Sequence, residues 1–268
     1  MNQDQLKAAV QAYWNKESCG TSVTQQSKFS KIYFDEIETY RYEIEPEIFS
    51  FAQFTRYYGK RVLEVGIGAG TDFIQWVRSG AQAYGVDLTP ESIEHTRQRL
   101  MIEQLHAFDL QVADAEQLPY PDNSFDLVYS WGVIHHSPNT EQCLRELVRV
   151  VRPGGTIKIM VYNRRSLFAF YRYVLCGLLK GKPLRSFKNI LFYDQESLGT
   201  KAYTMKEVRT MIKQHAVTIK SLTAPVTYHD LLGYKSRIFR GLASFAASIF
   251  GWQRVGWFML IELKKNKD

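Results

Sequence analysis

The sequence predicts an α/β fold built on a doubly wound parallel sheet, and three observations predict it. From Arg61 onward, short apolar runs alternate with segments of helical periodicity, which is the pattern of βαβ units. The first run, Val62-Leu63-Glu64-Val65, empties into a glycine-rich turn, Gly66-Ile67-Gly68-Ala69-Gly70, that opens a helix. The second run, Ala83-Tyr84-Gly85-Val86-Asp87, ends on a carboxylate about 20 residues farther on.

Each element follows from local chemistry. Residues 1–58 read as a polar, Tyr- and Glu-rich helical lead-in, with Pro46 placed in the first turn of a helix through Phe54. After the first strand, Thr71 to Ser79 is helical and Gly80 closes it. Thr89-Pro90-Glu91 supplies an N-cap and a first-turn proline for the next helix. Leu110 to Ala113 is a third strand and Phe125 to Ser130 a fourth. Asn139 caps a helix whose Leu144, Leu147, Val148 and Val151 share one face. Pro153-Gly154-Gly155 ends it, and Thr156 to Tyr162 alternates as a fifth strand. Beyond, Thr204 to Gln214 reads as helix, with strands at Val217–Leu222 and Gly256–Leu263. Four segments result: a lid over 1–58, a core over 59–163, an insertion over 164–203, and the rest of the sheet with a helical insertion over 204–268.

Composition narrows the function. With 45% hydrophobic and 23% charged residues in 268, the chain can bury a substantial core. The net charge of +7 conceals an asymmetry, −8 over residues 1–151 and +15 over 152–268. Three cysteines (Cys19, Cys143, Cys176) form no CxxC pair, so neither a zinc site nor a disulfide framework is expected. Met1 to Gln5 shows no basic, apolar leader, and Ile238–Leu260 is interrupted by arginines and glycines. A cytoplasmic protein is expected, with peripheral membrane contact as an alternative.

The glycine turn lets a ligand approach the backbone closely, and the helix behind it offers free N–H groups. Position 71 is Thr, so the pattern is GxGxG rather than the GxGxxG of nicotinamide cofactors. Asp87 is placed to accept both ribose hydroxyls, although an Asp here also caps turns. Asp114, at the end of the third strand, suits an adenine amine.

The ordered set VLEVGIGAGTD, GVDLTP, ADAEQLPYPDNSFDLVYSWGVIHH and LVRVVRPGGTIKIMVYN resembles class I S-adenosylmethionine-dependent methyltransferases of the small-molecule, ubiquinone/menaquinone methyltransferase-like group. The resemblance covers residues 59–163. It implies a Rossmann-like, seven-stranded sheet whose last strand is antiparallel, and S-adenosyl-L-methionine as cofactor. Gly66, Gly68 and Gly70 would pass under its methionine part, Asp87 would hold its ribose, Leu88, Asp114 and Ala115 its adenine, Ser130 and Trp131 would lie beside the methyl donor, and Glu64 is a further cofactor-binding residue. The implied reaction is methyl transfer to oxygen, nitrogen or carbon of a small or lipophilic acceptor. Rivals are a same-fold enzyme with other chemistry and a non-catalytic binding module. Nucleic acid is not expected, because Ser130-Trp131-Gly132-Val133 stands where base methylases carry Asn/Asp-Pro-Pro-Tyr.

His135 and His136 follow strand four at the sheet's carboxyl edge. His136 is expected to pack, as in relatives; His135 faces either the acceptor or the core. Arg164 and Arg165 would clamp an anion or simply open a helix. Tyr33, Tyr40, Tyr203, Tyr228 and His229 are further acceptor-pocket candidates. Glu17-Ser18-Cys19-Gly20-Thr21 and Glu196-Ser197-Leu198-Gly199-Thr200 share the pattern ESxGT and are expected to meet around the acceptor, with Thr21 and Thr200 as contacts. Residues 163–192 carry seven cations, no acid and six aromatics, which reads as a cap ahead of a membrane contact.

Overall fold

The structure is a computed structural model of the chain and describes residues 2–16, 18, 20–231 and 237–267. Glu17 and Cys19, members of the first ESxGT segment, lie outside the described residues.

Seven strands form one sheet in the order β3-β2-β1-β4-β5-β7-β6. They are β1 (Arg61–Val65), β2 (Gln82–Asp87), β3 (Asp109–Val112), β4 (Phe125–Trp131), β5 (Val151–Tyr162), β6 (Val217–Thr223) and β7 (Phe258–Lys265). The first five pair in parallel; β7 inserts antiparallel between β5 and β6. The strand order reverses between β1 and β4, and a crevice opens at such a switch point beside the strands' carboxyl ends. Strand β5 begins earlier than the sequence suggests. It runs back through Pro153-Gly154-Gly155 to Val151, and the register slips between Phe125 and Leu127 to absorb the turn.

Helices cover both faces: α1 (Gln3–Lys16), α2 (Lys31–Ile44), α3 (Glu47–Ala52), α4 (Thr71–Arg78), α5 (Pro90–Ile102), α6 (Thr140–Val150), α7 (Leu167–Tyr173), α8 (Phe187–Asp194), α9 (Met205–Ile212) and α10 (Arg237–Phe250). Their starts carry the chemistry expected of helix ends. Thr89 Oγ1 accepts from the Ser92 amide, Asn139 Oδ1 from the Gln142 amide, and Thr204 with Glu207 closes a reciprocal capping box. Two apolar layers result, one around Phe73, Trp76 and Tyr129, the other around Val128, Leu147 and Ile159.

The N-terminal helices are fastened to the sheet by polar bonds. Lys158, fully buried on β5, donates to Phe51 O at 2.6 Å and Gln53 Oε1 at 2.9 Å, and burial pushes its ammonium down to about 8. Arg41 of α2 grips Asp72 of α4 with two bonds, 3.0 and 2.9 Å.

Candidate active site

A cavity of about 260 Å³ occupies the crevice above the carboxyl ends of β1, β2, β4 and β5. Its first half is built from the glycine turn. Gly66, Gly68 and Gly70 all adopt left-handed φ (81°, 53° and 76°), which a Cβ would strain. A Cβ on Gly66 would also lie 2.2 Å from Val133 Cγ2. Gly66 and Gly68 line the cavity, whereas Gly70 caps α4 behind it.

Four carboxylates ring this half: Glu64, Asp72, Asp87 and Asp114. Asp87 accepts from the amides of Gly68 (3.0 Å) and Thr89 (2.9 Å) and from Thr89 Oγ1 (2.9 Å). Burial raises its pKa against the pull of those donors. Glu64 accepts from the Trp76 indole at 2.9 Å; burial, and then Asp72, hold its carboxyl far above the usual range. Asp114 pairs with Lys7 of α1 at 2.6 Å, and the same lysine reaches Glu116 at 2.7 Å. Helix α1 therefore lies across this end, and Gln11 donates to Leu88 O at 2.8 Å. Leu88 and Ala115 complete the wall.

The second half is aromatic, formed by Trp131, Met160, Tyr162, Phe168, Trp257 and Phe258. Two polar groups enter it. Glu196 accepts from the Tyr162 hydroxyl at 2.9 Å and lies 3.3 Å from His136 Nε2. His136 Nδ1 meets Ser197 Oγ at 2.9 Å and Thr200 Oγ1 at 3.1 Å. Burial works to raise Glu196, but His136 and Tyr162 outweigh it and hold the carboxyl below its ordinary range. Glu196 keeps this aim at a left-handed φ of 51°, a strained setting for a non-glycine residue. On another side, Glu45 accepts from the Trp131 indole at 2.9 Å and faces His229 Nε2 at 3.5 Å and Arg41 at 3.5 Å. Burial alone would lower His229; Glu45 raises it.

The other predicted residues fall elsewhere. Ser130 is buried and ties β4 to Val65 O at 3.1 Å. His135 is fully buried against Tyr162, both ring nitrogens lack a hydrogen-bond partner among the described residues, and burial drives its pKa far down. Tyr33 bonds His95 at 2.9 Å beneath α2, and Tyr40 is exposed. Arg164 pairs with Glu207 at 2.6 Å, Arg165 points outward, and the Tyr203 hydroxyl donates to Thr140 Oγ1 at 2.9 Å. Tyr228 stands edge-on to His229 at 6.1 Å, one step back from the cavity. The two ESxGT segments reach the cavity at different places. Ser18 lies beside Ser92, and Thr21 bonds Ser18 O, while Glu196 and Thr200 attend His136.

Sequence reasoning missed Arg41, Glu45, Asp72 and Lys7. Helical spacing was available for one pair, since Arg41 in the last turn of α2 and Glu45 at its C-cap are four residues apart. Nothing local announces that α2 turns that face toward β4.

This fold and crevice define a class, an α/β domain whose glycine turn follows the first strand and borders a cavity at the point where the strand order reverses. Comparison specifies it further. Residues 63–159 match the family model described as a methyltransferase domain. The chain is 39% identical over 106 residues to methyltransferase GfsG of Streptomyces halstedii, covering 38% of this chain and 37% of that protein. It is 33% identical over 128 residues to demethylmenaquinone methyltransferase of Tropheryma whipplei, covering 46% and 52%. The chain thus spans only part of the length of the curated relatives it matches. In fold it is similar to geranyl diphosphate C-methyltransferase of Streptomyces coelicolor A3(2), with a TM-score of 0.65 at 14% identity over 97% of this chain and 98% of that one.

Proposed function

We propose that the protein transfers a methyl group from S-adenosylmethionine to a small, lipophilic acceptor. One observation carries the reading: a single cavity joins a carboxylate-ringed half to an aromatic half. The first half suits a cationic nucleoside, and the second suits an apolar acceptor.

The residues fit the cofactor. Gly66 and Gly68 present bare backbone to the cavity, and Val133 fills the space a Cβ on Gly66 would take, so the turn keeps its shape only with glycine there. Asp87 is held by three donors and would take the ribose hydroxyls; Asp114 and Ala115 would take the adenine edge. Arg41 and Glu64 would hold the amino-acid end, one for its carboxylate and one for its ammonium. When bound, S-adenosylmethionine supplies a methyl group already activated on a sulfonium.

The chain then contributes alignment and exclusion of water. Trp131, Met160 and Phe258 wall the acceptor half. Glu196 lies 3.3 Å from His136 Nε2 while Ser197 and Thr200 occupy Nδ1, so this fixed pair would orient a polar group of the acceptor at the wall of the aromatic half. The apolar lining favours acceptors such as a quinone precursor or a polyketide over a bulk polar metabolite.

Incubation with methyl-labelled S-adenosylmethionine and a panel of such acceptors tests this. Label passing to acceptor with matching release of S-adenosylhomocysteine is expected. Acceptor turnover without that release would defeat the reading.

A further inference from the structure

Helix α10 is inside out for a soluble protein. Its sequence, RIFRGLASFAASIF, turns small Ala243 and Ala247 inward, both nearly fully buried. Its bulky residues point outward: Ile238 is 80% exposed, Leu242 64%, Phe245 67% and Ile249 60%. These four are spaced i, i+4, i+7 and i+11, so they form one stripe down one face. Single exposed apolar residues need no explanation, but an ordered stripe of them does. Exposed Phe250, the last residue of α10, and half-exposed Trp252 just beyond it add to this apolar surface.

The neighbouring insertion has the same character. Leu179 is 73% exposed and Leu184 98%, with exposed Lys180 and Lys182 between them. The two regions are adjacent, because Tyr171 of α7 meets Phe239 of α10 edge-on at 5.8 Å. Cations dominate both segments, and although Arg185 of the insertion pairs with Asp194 at 2.5 Å, the lysines at its tip are exposed. No Asp or Glu occurs in residues 163–193 or 231–261, whereas Arg237, Arg240 and Arg254 accompany α10. Helix α7 also connects this surface to the active site, since Phe168 in its first turn lines the cavity.

We propose that α10, together with the tip of the insertion, docks the protein on an anionic lipid bilayer, the stripe entering the acyl boundary and the cations meeting headgroup phosphates. An apolar stripe bordered by cations is what such an interface binds. A second copy is a poorer occupant, because a two-fold contact through this face would set its like charges against each other. Docking places the aromatic half of the cavity beside the membrane, which deepens the lipophilic-acceptor reading and rests on it for its purpose; binding to lipid does not depend on it.

The test is co-sedimentation of the full chain with vesicles of phosphatidylcholine alone or mixed with phosphatidylglycerol. The wild type is expected to sediment with the mixed vesicles and to be released by salt. Leu242→Ser with Phe245→Ser should weaken binding at least about tenfold, and Lys180→Glu with Lys182→Glu should weaken it and blunt the salt response. Both variants should keep wild-type affinity for S-adenosylhomocysteine, which separates lost docking from lost folding. Absence of wild-type binding, or unchanged binding by both variants, would overturn the proposal. So would a dimer, seen without vesicles by analytical centrifugation, that the Leu242/Phe245 variant dissociates. Vesicle binding without S-adenosylhomocysteine affinity would instead defeat the methyltransferase reading and leave this one standing.

Discussion

Replacing Gly66 by Ala perturbs the cradle at its tightest point. The residue sits at φ 81°, and the added Cβ would lie 2.2 and 2.6 Å from the two Cγ atoms of Val133 and 2.9 Å from its Cβ. Left-handed backbone costs an L-residue about 1–2 kcal/mol, and displacing a packed neighbour about 1–3 kcal/mol. The substitution should therefore destabilise the fold by about 2–5 kcal/mol. Val133→Ala alone removes two methyl groups, at a cost of up to about 1.6 kcal/mol. In the double variant the two nearest atoms are gone while the φ strain remains. The pair should thus couple favourably by about 1–2 kcal/mol, well beyond the additivity expected of independent sites. Urea denaturation of the four proteins measures the cycle, and titration with S-adenosylhomocysteine follows the site. A Gly66→Ala protein within about 0.5 kcal/mol of wild type, or a cycle that sums to zero, would refute the steric argument.

Other outcomes follow from neighbouring groups. Asp87→Asn exchanges a charged acceptor for a neutral amide and should weaken S-adenosylhomocysteine by about 10–100-fold; a Kd within a factor of two in calorimetry would remove Asp87 from the ribose site. Glu196→Gln should raise the acceptor KM or lower kcat about tenfold or more, leaving cofactor affinity intact, and equal losses of both affinities would point to collapse of the loop. Glu47 has one buried carboxyl oxygen without a hydrogen-bond partner, and burial raises its pKa to about 7. A carboxyl so raised favours folding below its unfolded pKa of about 4.3 and loses that contribution as pH climbs toward 7. Glu47→Gln should therefore stabilise the protein above pH 7 by about 1–2 kcal/mol after solvent screening, with little gain near pH 4. A pH-independent difference would contradict the assignment.

The carboxylate-ringed half was legible because its residues are local in sequence. The glycine turn, Asp87 and Asp114 each stand at a strand end, so the strand pattern alone delivers them to one edge. The aromatic half was legible only at Trp131, His136 and His229, because the rest is assembled by packing. Glu196 could be singled out as part of a repeated ESxGT pattern, but its contact with Tyr162 and His136 depends on the insertion folding back over β5. Arg164 looked like an anion clamp and instead pairs with Glu207 on α9, a partner 43 residues away. The N-terminal helices were recognisable as helices, yet their polar contacts to Asp72, Asp114 and Trp131 are long-range and left no periodic trace. The outward stripe of α10 is the reverse case. Its apolar periodicity is plain in the sequence, and periodicity alone assigns such a face to the core.

The central claim is that the carboxylate-ringed half of the cavity holds S-adenosylmethionine. Calorimetric titration of the full chain with S-adenosylmethionine tests it most directly. One equivalent binding with a Kd between about 1 μM and 1 mM, weakened by Asp87→Asn, is the predicted result. No detectable binding by a folded wild-type protein, or binding that Asp87→Asn leaves unchanged, would contradict it.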